Sequence, residues 1–230
     1  MLANAFHAIT HLFYPALCAG CRKKETEPDE LMCISCYNTL PYTGFEAIRD
    51  NPVEKLFWGR TPISFASSSF FYVERTPVQR LIHEVKYKEN KKLGVLLGEE
   101  MGRLLAPAFK EFKIDSMLPM PLHPKKQKKR GFNQASLLCK GISNTTDCHF
   151  DEGLLIRNTN TSTQTKKSRI ERWENVQDVF TVSHPELLTG KHVVLVDDVI
   201  TTGASTEACA SILLHNKCAS VSVCSLAFTL

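Results

Sequence analysis

One segment near the carboxyl end of the chain restricts the possible folds more than any other. Residues 193–206 read VVLVDDVITTGAST. Four apolar residues run into two adjacent carboxylates, Asp197 and Asp198, and a turn of small and hydroxylated residues follows. A second apolar stretch with helical spacing comes next. The pattern predicts a buried strand that ends in two acids, then a tight turn and a helix.

The residue types in this segment suit a sugar phosphate. The backbone N–H groups of a small-residue turn at a helix start bind phosphate well. Carboxylates accept hydrogen bonds from ribose hydroxyls or hold a hydrated divalent cation such as Mg²⁺. An ordinary buried strand with an acidic end explains the apolar run, but it needs neither both acids nor so many small residues. The turn consists of Thr201, Thr202, Gly203, Ala204 and Ser205.

Two C-x-x-C pairs near the amino end have the spacing of a zinc finger. The pairs are Cys18 with Cys21 and Cys33 with Cys36, and a charged stretch separates them. Each pair provides two thiolates from one tight turn, and Zn²⁺ prefers four such ligands in a tetrahedron. A site with four cysteine ligands is closed, so it is structural rather than catalytic. A redox pair, or knuckles without metal, are the alternatives to the predicted treble-clef or ribbon-like finger.

The length of the chain allows one main domain and a small accessory unit. At 230 residues it exceeds the roughly 100–200 residues of a typical domain. We expect an N-terminal helix and the four-cysteine zinc finger in residues 1–43, and the main domain in residues 44–230. Strands alternate with helical patterns in the second part, which predicts an α/β domain with a mostly parallel sheet flanked by helices.

Composition points to a cytoplasmic protein without a disulfide framework. The net charge of +4 is too small to indicate nucleic acid by itself, and the odd count of nine cysteines favours metal ligands and free thiols. No apolar run reaches the roughly 18–20 residues that span a bilayer. No Lys or Arg precedes Arg22, unlike in a signal peptide. The apolar stripe of Leu2, Phe6, Ile9 and Phe13 predicts a short helix instead.

Three further segments carry predictions about local structure. Thr76 is expected to cap a helix that starts at Pro77, and a second helical pattern is expected to stop at Pro107. The Lys-rich residues 123–131 are expected to form a loop. They follow a predicted strand, where open α/β sheets bind ligands, and this position favours binding of pyrophosphate. A solvated surface loop is the alternative.

A polar stretch, residues 158–175, precedes the acidic segment. Such a stretch either folds over the site and excludes water or forms a disordered linker. The polar and charged side chains of this stretch include Gln164, Arg169, Arg172 and Asn175, and Arg157 directly precedes it.

Taken in order, these motifs resemble those of the ComF family (ComFC or GntX type), and the resemblance covers nearly the whole chain. The segment around Asp197 closely resembles the motif with which type I phosphoribosyltransferases bind phosphoribosyl pyrophosphate (PRPP). Ser205 stands where many relatives carry Thr, and it keeps the hydroxyl. The other matching positions are the double C-x-x-C, Lys86 at the end of a helix, P-x-P-x-H with RGFNQ in residues 119–134, and R-x-x-x-T-x-x-Q with R-x-x-N and Phe in residues 157–180.

The resemblance implies a type I phosphoribosyltransferase fold with a structural zinc finger, in a family often linked to competence for DNA uptake. The implied activity is Mg²⁺-dependent transfer of a phosphoribosyl group from PRPP, or a related sugar phosphate, to an acceptor that the sequence does not name. Asp197 and Asp198 are the expected catalytic residues. The expected substrate-binding residues are the turn from Thr201 to Ser205 together with Lys86, Arg130, Gln164 and Arg172.

A second interpretation is a non-catalytic protein. It would handle single-stranded DNA through residues 125–130 and the finger, in contact with competence-machinery proteins, and would keep the PRPP site for regulation.

Overall fold

The computed structural model describes residues 16–27, 30–158 and 179–229. The apolar stripe predicted for the first residues lies outside this range, as do Gln164 and Arg172. The strands of the described part are β1 (Ala66–Phe71), β2 (Ser116–Pro119), β3 (Leu155–Arg157), β4 (Phe180–Val182), β5 (His192–Ile200) and β6 (Ser220–Phe228).

The main sheet has four strands in the order β1-β6-β5-β2, and every neighbouring pair is parallel. Strands β3 and β4 form a separate antiparallel pair. The predicted mostly parallel sheet is therefore confirmed. Because all four strands run in one direction, their carboxyl ends meet at one edge, where open α/β sheets bind ligands.

Helices cover both faces of the sheet. They are α1 (Ile34–Tyr37), α2 (Pro52–Lys55), α3 (Pro77–Tyr87), α4 (Lys91–Glu111), α5 (Pro124–Arg130), α6 (Gln134–Thr146) and α7 (Ala204–His215). Side chains alternate between the faces of a strand. Accordingly, Val194 and Val196 of β5 pack in one core with α3, α4 and α6. Val193 and Leu195 pack in the other core with α7.

Helix α4 passes through Pro107 and ends four residues later, at Glu111. The predicted stop at the proline is therefore wrong. Ala108 and Phe109 are buried beyond it, and this packing offsets the backbone hydrogen bond that the proline cannot make. The predicted helix start is confirmed, because Thr76 is the N-cap residue of α3 and Pro77 is its first residue. The Thr76 hydroxyl makes no capping hydrogen bond and donates to the carbonyl of Val73 (2.6 Å) instead.

The Lys-rich segment is helix α5 and not a loop. Pro124 occupies its first turn, the Nδ1 atom of His123 accepts the N–H of Lys125 (3.2 Å), and Gly131 ends it with a φ of 74°. Lys, Arg and Gln are good helix formers, so a proline start and a glycine stop are enough to define a short helix. The high charge had suggested a loop.

Helices α4 and α6 touch through their backbones. A Cβ atom on Gly98 would lie 2.3 Å from the carbonyl oxygen of Leu138, and one on Gly141 would lie 2.1 Å from that of Val95. Only glycine fits at such a distance. This contact fixes α6 relative to the sheet and thereby places Gln134, the first residue of α6, beside the carboxyl edge of β5.

The cysteine-rich unit is fixed to helices α3 and α4. The buried Glu100 of α4 accepts hydrogen bonds from the hydroxyls of Tyr37 (2.6 Å) and Tyr42 (2.8 Å). The guanidinium of Arg80 on α3 donates to the carbonyl of Gly20. Within the residues that the structure describes, none of the helices combines the length and the hydrophobicity that a bilayer crossing requires.

Candidate functional site

The two acids lie inside strand β5. Asp197 is paired with Ser225, and the strand continues to Ile200 because β6 offers partners as far as Phe228. The sequence had predicted a strand that ends at the two acids. Since consecutive side chains of a strand point to opposite faces, the two carboxylates lie on different sides of the sheet and meet different neighbours.

Asp198 faces helix α3 and forms an ion pair there. Its Oδ2 atom lies 2.8 Å from the Nζ atom of Lys86, and the two side chains are only 18% and 22% exposed. Lys86 is in the last turn of α3, at the carboxyl edge of the sheet. The structure thus brings together two residues that the sequence had assigned to one site from motifs more than a hundred positions apart.

A cleft of about 760 Å³ opens beside this ion pair. Three cations, Arg22, Arg80 and Lys86, line it together with one carboxylate, that of Asp198. The excess of positive charge suits an anionic ligand. Its remaining walls come from α3 and from the residues at or just after the ends of β1, β5 and β6: Tyr72, Gln79, Ile82, His83, Tyr87, Val199, Thr201 and Thr229.

Several of these lining residues were missed in the sequence. Gln79, His83 and Lys86 are spaced i, i+4 and i+7, so they share a polar stripe along α3. That periodicity is present in the sequence, but the prediction of this helix did not use its polar face. No local pattern indicated Arg22, which reaches the cleft from the cysteine-rich unit.

Asp197 lies on the side of α7, and its Oδ1 atom accepts the backbone N–H of Asp198 (2.8 Å). Burial, and next the charge of the neighbouring Asp198 carboxylate, raise the pKa of Asp197 to about 7. A carboxyl group whose pKa is raised in this way is common at functional sites.

The turn after β5 leads into helix α7. Gly203 has a φ of 71°, which favours glycine, and precedes the first helical residue, Ala204. A Cβ atom there would lie 3.3 Å from the ring of Phe57. Arg60 holds the turn from outside by donating to the carbonyl of Thr202 (3.4 Å) and pairing with Glu207. The first N–H groups of α7 have no partner within the helix, so this end suits a phosphate.

A further residue near the ion pair is Gln134. It is only 3% exposed, and its Nε2 atom has no hydrogen-bond partner among the described residues. Together with Lys86 and Asp198 it lines a small cavity next to the cleft. A buried amide donor without a partner costs free energy, which makes this nitrogen a candidate contact for a ligand or a water molecule. The sequence motif contained Gln134, but no role was assigned to it.

Helix α5 ends close to the cleft. The guanidinium of Arg130 lies 5.4 Å from the ring centre of Tyr87, and Tyr87 lines the cleft. Of the predicted site residues, the structure therefore gathers Lys86, Asp198 and Thr201 around the cleft, with Arg130 next to it. Asp197 is on the opposite face of the sheet.

The four cysteines of the C-x-x-C pairs form one cluster. All their Sγ atoms lie within 4.8 Å of one another. A tetrahedron with Zn–S bonds of about 2.3 Å separates its sulfurs by about 3.8 Å, so these thiols fit Zn²⁺ with little rearrangement. The N–H of Cys33 donates to the Sγ atom of Cys18 (3.2 Å). The N–H groups of Lys23 and Lys24 lower the pKa of Cys21 to about 6, whereas burial raises the pKa of Cys36 in the absence of a metal ion.

The other five cysteines are buried, free thiols. Burial raises the pKa values of Cys139, Cys209 and Cys224, which disfavours the reactive thiolate form. They pack as core side chains.

Comparison with known proteins identifies the family. The phosphoribosyl transferase domain matches residues 129–229. DNA utilization protein YhgH of Escherichia coli K12 is 32% identical over 157 residues, which cover 67% of this chain and 68% of that protein. The chain belongs to the ComF family. Competence protein F of Haemophilus influenzae is 28% identical over 216 residues, 88% of this chain and 86% of that protein. Competence protein ComFC of Bacillus subtilis is 26% identical over 210 residues, 85% of this chain and 83% of that protein.

Among solved structures, the allosteric regulatory enzyme of purine biosynthesis overlaps this ComF-family chain with a TM-score of 0.40 and 21% identity. The overlap covers 57% of this chain and 25% of that enzyme. So partial an overlap carries no argument. The assignment of a phosphoribosyltransferase-type domain rests on the matched domain, the relatives and the parallel sheet.

We expect about one zinc ion per purified chain, bound by four thiolates at roughly 2.3 Å. Gly20→Ala should lower zinc retention, because the new Cβ atom would lie 2.9 Å from the Cβ and 3.0 Å from the Sγ of Cys36. Gly153→Ala is the matched control, since its nearest contact is at 3.4 Å. Metal analysis and X-ray absorption would measure both effects. Purified wild-type protein without zinc would refute the site.

The two acids should respond oppositely to amidation. Asp197 has a raised pKa in the folded state, so its ionisation lowers stability as the pH rises from about 4 to about 7. Asp197→Asn should therefore increase the free energy of unfolding by on the order of 1 kcal/mol at pH 8, and by less at pH 5.5. Asp198→Asn should decrease it, because Lys86 loses its partner. Urea unfolding at both pH values measures these changes, and a destabilised Asp197→Asn protein contradicts the assignment.

Proposed function

We propose that this ComF-family protein binds PRPP at the carboxyl edge of its sheet and transfers the phosphoribosyl group to an acceptor. The observation that carries the proposal is the Lys86–Asp198 ion pair at the wall of a positively charged cleft. The cleft adjoins the turn that precedes α7. One ligand can therefore place its anionic part and its hydroxyl-rich part against neighbouring groups that suit them.

Each part of PRPP has residues that suit it. The 5′-phosphate binds the N–H groups from Thr201 to Ser205 at the start of α7, where the helix dipole favours negative charge. The ribose hydroxyls donate to the carboxylate of Asp198. Thr201 belongs to both the cleft and the turn, so it lies where the sugar joins the phosphate.

The pyrophosphate group leaves when the C1–O bond of the ribose breaks. Lys86 and Arg130 neutralise the charge that develops on it, which is how such sites stabilise a transition state. Asp198, the carboxylate that lines the cleft, would hold Mg²⁺, and the ion, when bound, would neutralise pyrophosphate further. The positive charge that forms on the sugar is stabilised by Asp198.

We further assign the cysteine cluster to a structural zinc finger in residues 1–43, and the acids and the phosphate-binding turn of the PRPP site to a domain in residues 44–230. The relatives named after competence and DNA utilization support a role in the handling of imported DNA, in the cytoplasm and with competence-machinery proteins.

The double variant Asp197→Asn/Asp198→Asn should lose PRPP binding, at least a hundredfold, because the ribose and Mg²⁺ ligands disappear while the shape of the site stays. Calorimetric titration of zinc-loaded protein with PRPP and Mg²⁺ measures the change. Glu111→Gln, at the exposed end of α4, is the control for charge. Unchanged affinity in the double variant would exclude this site.

A second candidate function is binding of single-stranded DNA, which helix α5 favours. Its cations Lys125, Lys126, Lys128 and Lys129 are all exposed, and within the described part of the chain none of them forms an ion pair. A short row of free cations binds a phosphate backbone without reading its sequence. The DNA would then occupy the outside of α5 and leave the cleft to PRPP.

Lys125→Ala/Lys128→Ala should weaken binding of a single-stranded oligonucleotide and make its salt dependence shallower, by about 0.7 per lost phosphate contact. Fluorescence anisotropy at several salt concentrations measures both. Lys110→Ala/Lys140→Ala removes the same charge from exposed positions outside α5 and should have a smaller effect. Equal losses in the two variants would reject α5 as the DNA site.

A further inference from the structure

One wall of the cleft comes from the cysteine-rich unit. Arg22, which lines it, follows directly after Cys21, and its N–H donates to the carbonyl of Cys18 (2.8 Å). This hydrogen bond closes the first C-x-x-C turn. The position of Arg22 is therefore set by the same backbone turn that presents two of the metal-binding thiols.

The backbone of Arg22 adopts a conformation that favours glycine. Its φ is 56°, in the left-handed region where a side chain costs free energy and glycine costs none. Glycine would complete the turn without this cost, and six other non-glycine residues of the described part share this conformation. The Arg22 side chain contributes contacts outside the turn.

That contribution is directed at helix α3. The Nη2 atom of Arg22 pairs with Glu84, whose side chain is only 12% exposed. Arg80 of α3 in turn donates to the carbonyl of Gly20. The knuckle is thus held at two points on the helix whose last turn carries Lys86, and Arg22 and Lys86 line the same cleft.

The guanidinium of Arg22 keeps donors free for a ligand. A guanidinium has five N–H groups in a planar fork, and among the described residues Glu84 is its partner. Its side chain remains 44% exposed, and Arg22 lines the cleft as well as a second pocket that Glu84 also lines. A planar fork of this kind recognises phosphate oxygens in pairs.

We propose that Arg22 is a phosphate-binding residue of the cleft, supplied by the metal-binding knuckle, and that it contacts the diphosphate of the ligand together with Lys86. The inference rests on the proposed PRPP site and assigns it a residue from the other unit.

The test compares three variants of the full, zinc-loaded chain. Arg22→Gly removes the guanidinium and suits the backbone, so its zinc content should equal that of wild type. Arg22→Lys keeps the charge without the fork. Lys23→Ala removes the same charge from the same knuckle at an exposed position that does not line the cleft. Each is titrated with PRPP plus Mg²⁺ and, separately, with inorganic pyrophosphate.

We expect both ligands to bind Arg22→Gly roughly tenfold or more weakly, Arg22→Lys to be intermediate and Lys23→Ala to match wild type. Wild-type affinity in Arg22→Gly, or an equal loss in Lys23→Ala, would overturn the inference while leaving the PRPP site intact. Wild-type protein that binds pyrophosphate but not PRPP would overturn the proposed function and leave the role of Arg22 standing. Wild-type protein that binds neither would overturn both.

Discussion

The parallel pairing of β5 with β6 continues past both acids to Ile200 and Phe228, and the arrangement of the site depends on it. A strand that stopped before Asp197 would leave the carboxylates on a loop, free to point in the same direction. Inside the strand they must diverge. Asp198 meets Lys86 of α3, and Asp197 turns to the layer of α7. The pairing also places the Thr201–Ser205 turn at the sheet edge, where α7 begins.

Several features at this edge lower stability. The pKa of Asp197 is raised by burial, the Nε2 atom of Gln134 lacks a partner among the described residues, and Arg22 has a left-handed backbone. Each is unfavourable in the isolated protein. Such features gather where a ligand supplies the missing interactions. Arg22 lines the cleft and Gln134 lines a small cavity beside it, while the rest of the sheet has an ordinary apolar core. The location of these two residues is a physical argument that the cleft is functional.

The sequence predicted the parts of the molecule that local patterns determine. An apolar run before two acids gave β5, and the spacing of four cysteines gave the metal cluster, because both depend on residues close together in the chain. Helix α5 was missed since a run of lysines was interpreted as a loop, and α4 was cut short at Pro107 since local propensity ignores packing beyond the proline. The contact between Arg22 and Glu84 joins residues 62 positions apart, and no local pattern can indicate it.

The central claim is that a sugar diphosphate binds at the carboxyl edge of the sheet, against both α3 and the metal-binding knuckle. Hydrogen–deuterium exchange of the zinc-loaded protein, with and without PRPP and Mg²⁺, tests this location directly. The account predicts slower exchange in residues 199–206, in α3 and in residues 18–22, with little change in β3 and β4. Bound ligand that leaves the exchange of residues 199–206 unchanged would contradict it.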